Sequence, residues 1–97
     1  MKTFVWTENA LKDYHQNIDY LLREWSEKEA LIFIGDVDSI LFSLKSGNIQ
    51  YKESNYHGIR ECLVCKQITL YYRHLRSNEI ELLRFWNNSK DKRKLKL

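Results

Sequence analysis

The spacing of hydrophobic and polar positions changes several times along the chain, and each change predicts a new element. Residues Lys2 to Trp6 alternate polar and apolar side chains and include β-branched and aromatic residues, a pattern typical of a short strand. Thr7 is expected to cap the next segment, where apolar residues recur at helical spacing. This stripe predicts a first amphipathic helix, and its members are Ala10, Leu11, Tyr14, Ile18, Leu21, Leu22 and Trp25.

A second helix is predicted directly after the first. Ser26 and Glu29 have the spacing of a capping box, in which the serine hydroxyl accepts a hydrogen bond from the backbone N–H of Glu29. The helical spacing continues to about Lys45, and Gly47 can take the left-handed conformation that ends a helix. Because few residues separate the helices, they are expected to form an antiparallel hairpin. The apolar positions of the second helix are Ala30, Phe33, Ile34, Val37, Ile40, Leu41 and Leu44.

Three runs rich in β-branched and aromatic residues follow a polar loop at Asn48 to Gly58. Their short connections, Lys66-Gln67 and Arg76-Ser77-Asn78, predict an antiparallel meander. The three runs are Ile59–Cys65, Ile68–Leu75 and Glu79–Trp86.

The last run has apolar residues at both parities, so its strand is expected to be buried on both sides and central in the sheet. Simple alternation gives one face Ile80, Leu82, Arg84 and Trp86 and the other face Leu83 and Phe85. The order β-α-α-β-β-β predicts an α+β fold in which the helical hairpin packs on one face of an antiparallel sheet. The other sheet face is expected to stay largely open.

The composition fits one compact domain over residues 1–97. The chain is 43% hydrophobic and 30% charged, and 97 residues are too few to divide between two cores. No apolar run approaches the ~20 residues of a membrane helix, and Met1 to Asn9 lacks the apolar stretch of a signal peptide. A cytoplasmic protein without membrane contact is therefore expected.

The positive charge is concentrated at the end of the chain. The net charge is +3, and a basic tail at about 88–97 contains Lys90, Lys92, Arg93, Lys94 and Lys96. Such a tail is either a binding arm for an acidic partner or a solvated, partly frayed end.

Cys62 and Cys65 have the spacing of half a zinc site or of a redox pair. Residues three apart on a regular strand point to opposite faces, so these thiols are expected to pack separately as small hydrophobic groups, and no metal site is predicted. His15, His57 and His74 have no neighbouring nucleophile in the sequence, and the three glycines form no phosphate-binding loop. No catalytic residue and no cofactor are therefore assigned.

The late strands are rich in cations beside aromatic rings. Tyr71 and Tyr72 lie close to arginines that can stack or bind phosphate, an arrangement typical of a platform for RNA. The same arginines can instead pair across the sheet with glutamates such as Glu61 and Glu81. Each late strand contributes one of them: Arg60, Arg73 and Arg84.

Several segments taken together resemble one known family. Phe4-Val5-Trp6-Thr7-Glu8, with Trp25 at the end of the first helix, is similar to the first strand and helix of RelE/ParE toxins. Thr69-Leu70-Tyr71-Tyr72-Arg73 resembles the third strand of that family, and Ile80 to Trp86 resembles its fourth strand, before a basic terminal segment. The resemblance covers nearly the whole chain and implies the same fold.

The resemblance implies a toxin of a type II toxin–antitoxin system, with roles in growth inhibition and plasmid stabilization, that a cognate antitoxin wraps and inactivates. Ile68-Thr69 stands where RelE-like members tend to place an arginine, and Asn87-Asn88-Ser89 stands where they carry basic catalytic groups. This difference favours the ParE-like branch, which blocks DNA gyrase without known covalent chemistry. The expected contacts with target or antitoxin are Arg60, Arg73, Trp86, Lys90 and Arg93.

Two other functions stay open at the level of sequence. A RelE-like toxin cuts messenger RNA inside the ribosome, and in this chain Arg73 and Lys52 would then steady the phosphate. A degenerate toxin fold that serves only as an interaction module is the third hypothesis. Whether the chain is an enzyme depends on which of these holds.

Overall fold

The computed structural model describes residues 2–47, 49–76 and 78–97, and its elements follow the predicted order. The predictions that involve Met1, Asn48 in the loop and Ser77 in the last connection fall outside the described residues. No helix in the described ranges is long and apolar enough to cross a membrane. The elements are β1 (Thr3–Trp6), α1 (Glu8–Glu24), α2 (Glu27–Ser46), β2 (Arg60–Cys65), β3 (Ile68–His74), β4 (Glu79–Asn87) and a short 3₁₀ turn (Lys92–Lys94).

Both helices begin and end where the sequence predicts. Thr7 Oγ1 accepts a hydrogen bond from the backbone N–H of Ala10 at 3.0 Å, and Ser26 Oγ accepts one from that of Glu29 at 3.3 Å. Gly47 ends α2 in the left-handed conformation, with a φ of 76°. Because the connection is so short, the two helices run antiparallel and form the predicted hairpin.

The hairpin packs on a four-stranded sheet with the order β1-β4-β3-β2. β2, β3 and β4 form the predicted antiparallel meander. β1 runs parallel to β4, with Thr3 opposite Glu79 and Trp6 opposite Leu82, so the complete sheet is mixed. β4 therefore lies between β1 and β3 and is central, as predicted.

A β-bulge reverses the side-chain parity halfway along β4. Tyr71 is opposite Arg84 and Tyr72 is opposite Leu82, so Leu83 is the extra residue. Before the bulge, Leu82 faces the helices, and after it Trp86 faces away from them. The predicted alternation, which placed Trp86 on the same face as Leu82, is wrong for this reason. The helix-side core contains Ile80, Leu82 and Phe85, and the outer face, which is the sheet face away from the helices, contains Leu83 and Trp86.

A second bulge in β2 brings the two cysteines to one face. Cys62 is opposite Leu70 and Cys65 is opposite Ile68, so the intervening residues change the parity, and the prediction of opposite faces is wrong. Both thiols are free and pack against the helix-side core. Burial raises the pKa of both thiols, which keeps them protonated, as expected of small hydrophobic groups. No group of three or more metal-ligating side chains occurs within the described part of the chain.

The face of α1 that packs on the sheet is not entirely apolar, because two polar residues lie on it. Leu11, Leu22 and Trp25, three members of the predicted stripe, are about half exposed and lie outside the core. Asp13 and Asn17 are turned inward instead, with 6% and 4% of their surface exposed. Buried polar groups are stable only when their hydrogen bonds are made, so these two side chains require partners in the sheet.

The partners lie on the free edge of β4. β1 ends opposite Leu82, so among the described residues no strand pairs with the rest of β4 on that side. Thr7 Oγ1 donates to the Leu82 carbonyl at 2.8 Å, and Asn17 Nδ2 donates to the Phe85 carbonyl at 2.8 Å. The Phe85 N–H donates to Asp13 Oδ2 at 3.1 Å. Side chains of α1 and its cap thus replace the backbone of a missing strand and satisfy an edge that would otherwise be unpaired.

Asp13 also binds an arginine that reaches around this edge. Arg84 Nε donates to Asp13 Oδ2 at 2.6 Å and Nη2 donates to Oδ1 at 3.0 Å, a bidentate pair in which both side chains are largely buried. Arg84 Nη1 continues to the backbone carbonyl of Lys96 at 3.2 Å. The pair therefore connects the helical layer to the chain terminus.

The C-terminal segment folds back onto the outer face, which was predicted to stay largely open. Leu95 is 6% exposed and packs with Tyr71, Leu83 and Trp86. Asp91 accepts a hydrogen bond from the backbone N–H of Arg93 and caps the short 3₁₀ turn before Leu95. The tail is thus partly anchored, and the prediction of an open face is wrong where Leu95 covers it.

Substitution of Asn17 tests the hydrogen bonds to the free edge. Asn17→Ala removes the donor to the Phe85 carbonyl and leaves that buried acceptor without its partner, so we expect the free energy of unfolding to fall by about 1–3 kcal/mol. Urea denaturation followed by circular dichroism measures this change. Gln16→Ala, at an exposed neighbouring position, is the matched control and should change stability by less than about 0.5 kcal/mol. Equal stability of the two variants would contradict the role of Asn17.

Substitution of Leu95 tests the anchored tail. Leu95→Ala should lower the free energy of unfolding by about 2 kcal/mol, because it removes buried apolar surface and leaves a cavity beside Tyr71 and Trp86. Leu97→Ala is the control, since Leu97 is substantially exposed. Thermal unfolding of both variants measures the difference, and a wild-type melting temperature for Leu95→Ala would show that the tail does not pack in solution.

Candidate binding face of the sheet

The outer face combines an apolar cluster with an open cleft. The cluster is formed by Tyr71, Leu83, Trp86 and Leu95, and Ile59 packs against its edge. It exists because the bulge at Leu83 turns Trp86 outward and because the tail returns Leu95 to the same place. A folded platform of aromatic and aliphatic groups is thus present on the side of the sheet that the helices leave free.

Beside this cluster lies a cleft of about 300 Å³, which we call the outer cleft. Two tyrosine rings and two cations face it, together with one carboxylate. Burial first, and then the charge of Glu61, raises the pKa of Tyr71, so its hydroxyl stays protonated at neutral pH. The cleft is therefore suited to a ligand with both acidic and apolar groups. Its lining is Ser54, Asn55, Tyr56, Glu61, Tyr71, Lys92, Arg93 and Leu95.

Trp86 forms the base of this face rather than an exposed contact. Its side chain is 4% exposed, and its indole Nε1 is buried without a hydrogen-bond partner among the described residues. Two cations lie against the ring, with Arg84 Cζ at 5.3 Å and Lys90 Nζ at 5.7 Å from the ring centroid. Trp86 and Lys90 were both predicted as contacts. The Trp86 ring is buried and positions Lys90, whose ammonium group is exposed to solvent.

The two arginines among the predicted outer contacts are paired within the chain. Arg73 Nε donates to Glu81 Oε1 at 2.6 Å across β3 and β4, which confirms the predicted alternative of cross-strand pairing. Arg93 Nη2 lies 2.7 Å from Asp91 Oδ2, and the hydrogen bonds from Arg93 lower the pKa of Asp91. Both arginines keep exposed surface, so they can still meet a partner, but each already has a counter-ion.

Arg60 does not belong to the outer face. It is opposite Tyr72, whose side chain lies in the helix-side core, and its Nη1 donates to the Tyr51 carbonyl at 2.6 Å. With its amide oriented to match the surrounding donors, Gln50 Oε1 accepts from Arg60 Nη2 at 2.7 Å. Of the five predicted residues, Lys90 lies against the Trp86 ring, and Arg93 lines the outer cleft. Arg73 is paired with Glu81 near the other end of β4, and Arg60 lies apart on the helix side.

The outer cleft carries groups that can bind an acidic and partly apolar ligand. Its cations can neutralise an acidic group, and its tyrosines can stack or donate hydrogen bonds, but no histidine is among the described residues that line it. His57 is fully exposed in the loop, with Glu53 at 3.8 Å, and His74 lies on the opposite face of the sheet. Neither is held beside a cation of the outer cleft.

Sequence reasoning missed Tyr56, Lys92 and Leu95 as members of this face. Tyr56 lies in a loop without periodicity, so only the fold could place it beside β2 and β3. Leu95 could have been found from the sequence, since a single apolar residue within a basic run indicates a point where a tail can dock on the domain. The position of Lys92 follows from that docking.

Similar proteins identify the fold and the family. A structure described as the chromosomal ParDE TA system from P. aeruginosa is 20% identical, covers 90% of this chain and 96% of its own, and has a TM-score of 0.71. A copper-bound mutant toxin from Helicobacter pylori has 18% identity, 92% and 97% coverage and a TM-score of 0.63. The E. coli DinJ-YafQ complex contains a chain with 11% identity, 92% and 96% coverage and a TM-score of 0.60.

A search of curated proteins finds no match. Residues 4–92 match the model of a family described as the ParE toxin of type II toxin-antitoxin system, parDE. This match includes both helices, all four strands and the start of the folded-back tail. The chain therefore belongs to the ParE toxin family of type II toxin–antitoxin systems, within the RelE/ParE superfamily.

Proposed function

We propose that this chain is a growth-inhibiting toxin that binds DNA gyrase without covalent chemistry and is neutralised by a cognate antitoxin. The observation that carries the proposal is the pairing of the outer arginines. Arg73, Arg84 and Arg93 each have a carboxylate partner within the chain, as expected of a surface that binds a folded partner. A site that stabilises charge on a reacting phosphate needs cations directed at that phosphate instead.

The outer face also suits an antitoxin. Tyr56 and Tyr71 offer stacking surface and Lys92 and Arg93 offer positive charge, so a segment with alternating acidic and apolar side chains fits the outer cleft. Relatives of similar fold are described as the ParDE system and the DinJ-YafQ complex. An antitoxin that covers this cleft would block the same face from the target. A cytoplasmic site of action follows from a gyrase target.

A ribosome-dependent endoribonuclease is the second candidate function. It is favoured by the two tyrosines and two cations of the outer cleft, which can hold a base and a phosphate. Lys52 is exposed, and Arg73, although paired with Glu81, keeps exposed surface, so the two phosphate contacts named for this mechanism are available. An interaction module without toxicity is the third candidate.

Reversal of the cleft charge tests the gyrase proposal. Purified wild-type chain should inhibit gyrase supercoiling, and Lys92→Glu combined with Arg93→Glu should weaken this inhibition at least about tenfold, since two attractive contacts become repulsive. Lys66→Glu combined with Lys45→Glu is the control, because these lysines are exposed and absent from the outer cleft. Unaltered supercoiling at excess wild-type chain would remove gyrase as the target.

Induced expression in a bacterium separates the three candidate functions. We expect growth to stop without new 5′ ends inside codons when messages are examined by primer extension, because a gyrase-binding toxin leaves messages uncut. New ends within codons during growth arrest would instead favour the endoribonuclease. Sustained normal growth without an antitoxin would favour the interaction module.

A further inference from the structure

A second cleft lies on the helix side of the sheet, at the end where β1 begins and α2 stops. It has a volume of about 280 Å³, and we call it the inner cleft. Its wall carries two nitrogen-bearing side chains in direct contact, because Lys2 Nζ lies 3.5 Å from His74 Nδ1. None of the residues assigned to the outer face lines it. The lining is Lys2, Leu44, Gly47, Ile49, Gln50, His74, Leu75, Asn78 and Glu79.

The fold positions the backbone of Lys2 and the ring of His74. The Lys2 backbone N–H donates to the Lys45 carbonyl at 3.4 Å, and Thr3 begins the pairing of β1 with β4, so the start of the chain is anchored at the end of α2. The His74 ring packs edge-on against the Tyr72 ring, with centroids 5.9 Å apart and planes at 76°. The fold thus places Lys2 and His74 beside each other at this end of the sheet.

The electrostatic environment of the inner cleft is positive. Burial first, and then the positive charges of Lys2 and Arg60, lower the pKa of His74. Glu79 lines the cleft, but no carboxylate of the described residues forms an ion pair with Lys2, Arg60 or His74. Lys2 and Arg60 therefore have no ion-paired carboxylate among the described residues, in contrast to the paired arginines of the outer face.

We propose that the inner cleft binds a phosphate group through the Lys2 ammonium and the His74 imidazolium, with the amides of Gln50 and Asn78 as further donors. Arg60 does not line the cleft but adds positive charge near His74. A phosphate group carries one negative charge in a diester and up to two in a monoester, and it has several acceptor oxygens, so it supplies a counter-charge for Lys2, which is unpaired among the described residues. The phosphate belongs either to a small phosphate ester or to a nucleic-acid strand, and binding of both kinds of ligand can be compared directly.

Binding must be linked to protonation of His74. The groups facing it are Lys2 before β1, Tyr72 on β3, Arg60 on β2 and Glu79 on β4, and the α2 wall contributes Leu44 and Gly47 without charge. In the free protein, burial first and then the positive neighbours lower the pKa of His74 and favour the neutral ring. Bound phosphate favours the charged ring, so it raises the pKa of His74, and affinity increases as the pH falls through that pKa.

Nuclear magnetic resonance of the full chain tests the site. The imidazole signals of all three histidines are followed while inorganic phosphate is added at constant ionic strength, with chloride as the matched salt. We expect a saturable shift of His74 and a raised His74 pKa, with His15 and His57 unchanged as internal controls, because both are exposed and lie outside the inner cleft. Equal shifts of the three histidines, or a His74 shift no larger than that caused by chloride, would overturn the proposal.

Variants identify the contacts. Lys2→Gln should weaken phosphate binding at least about tenfold, since it removes a charge-assisted hydrogen bond, whereas Lys66→Gln, which removes an equal charge on the β2–β3 turn, should bind as the wild type does. Unweakened binding by Lys2→Gln would overturn the proposal. The remaining signals of each spectrum report whether the variant is folded. If a variant fails to fold, the His74 titration of the wild-type chain still tests the proposal.

A 5′-mononucleotide and a short single-stranded RNA, each added to wild type and Lys2→Gln, distinguish the sources of the phosphate. Binding of the mononucleotide as tightly as the RNA supports a small ester, and tighter binding of RNA that Lys2→Gln abolishes supports a nucleic-acid strand. If the mononucleotide, the RNA and inorganic phosphate all fail to shift the His74 signal specifically, neither source of the phosphate is supported and the proposal is overturned. The inner cleft shares no residue with the outer cleft, so its failure leaves the proposed toxin function untouched.

Discussion

Asp13 is the point where the helical layer, the sheet edge and the outer face are joined. Its carboxylate accepts from the Phe85 N–H and from two nitrogens of Arg84, all within 3.1 Å. A buried carboxylate is costly unless it is paired and fully hydrogen-bonded, and these bonds meet that requirement. Loss of either partner would leave a charge in a poorly solvated place, so the position of α1 against β4 and the conformation of Arg84 depend on each other.

This dependence extends to the surface that we propose as the binding face. Arg84 stacks on Trp86 and donates to the Lys96 carbonyl, so the carboxylate of a helix residue helps to hold the outer tail. The tail in turn brings Lys92 and Arg93 to the outer cleft and Leu95 to the apolar cluster. A mutation at Asp13 would therefore affect the outer face although Asp13 belongs to the opposite layer, and loss of binding alone would not identify a contact residue.

Local features were predictable from the sequence, whereas features decided by distant pairing were not. Caps such as Ser26 and Gly47 act over a few residues, so the element boundaries and the α+β fold followed from them. The inward turn of Asn17 depends on a sheet edge that exists only after β1 has paired with β4. Helical periodicity alone therefore gave a stripe that includes the exposed Leu11, Leu22 and Trp25. The types of residue in the candidate site, cations beside tyrosines, could be predicted from the sequence. The face on which Arg60 lies could not, because it is decided by the pairing of Arg60 with Tyr72.

The single extra residue at Leu83 explains why the outer face has a binding surface at all. Without the bulge, strict alternation would turn Trp86 toward the helices, as the sequence pattern suggests, and Phe85 would occupy the outer side. With it, Leu83 and Trp86 both face outward, and an apolar patch forms opposite the main core. Leu95 covers this patch, which draws the basic tail onto the sheet and creates the outer cleft beside Tyr71. The tail is thus a consequence of strand geometry: an exposed apolar patch is stabilised by the nearest apolar side chain, and that side chain carries the cations with it.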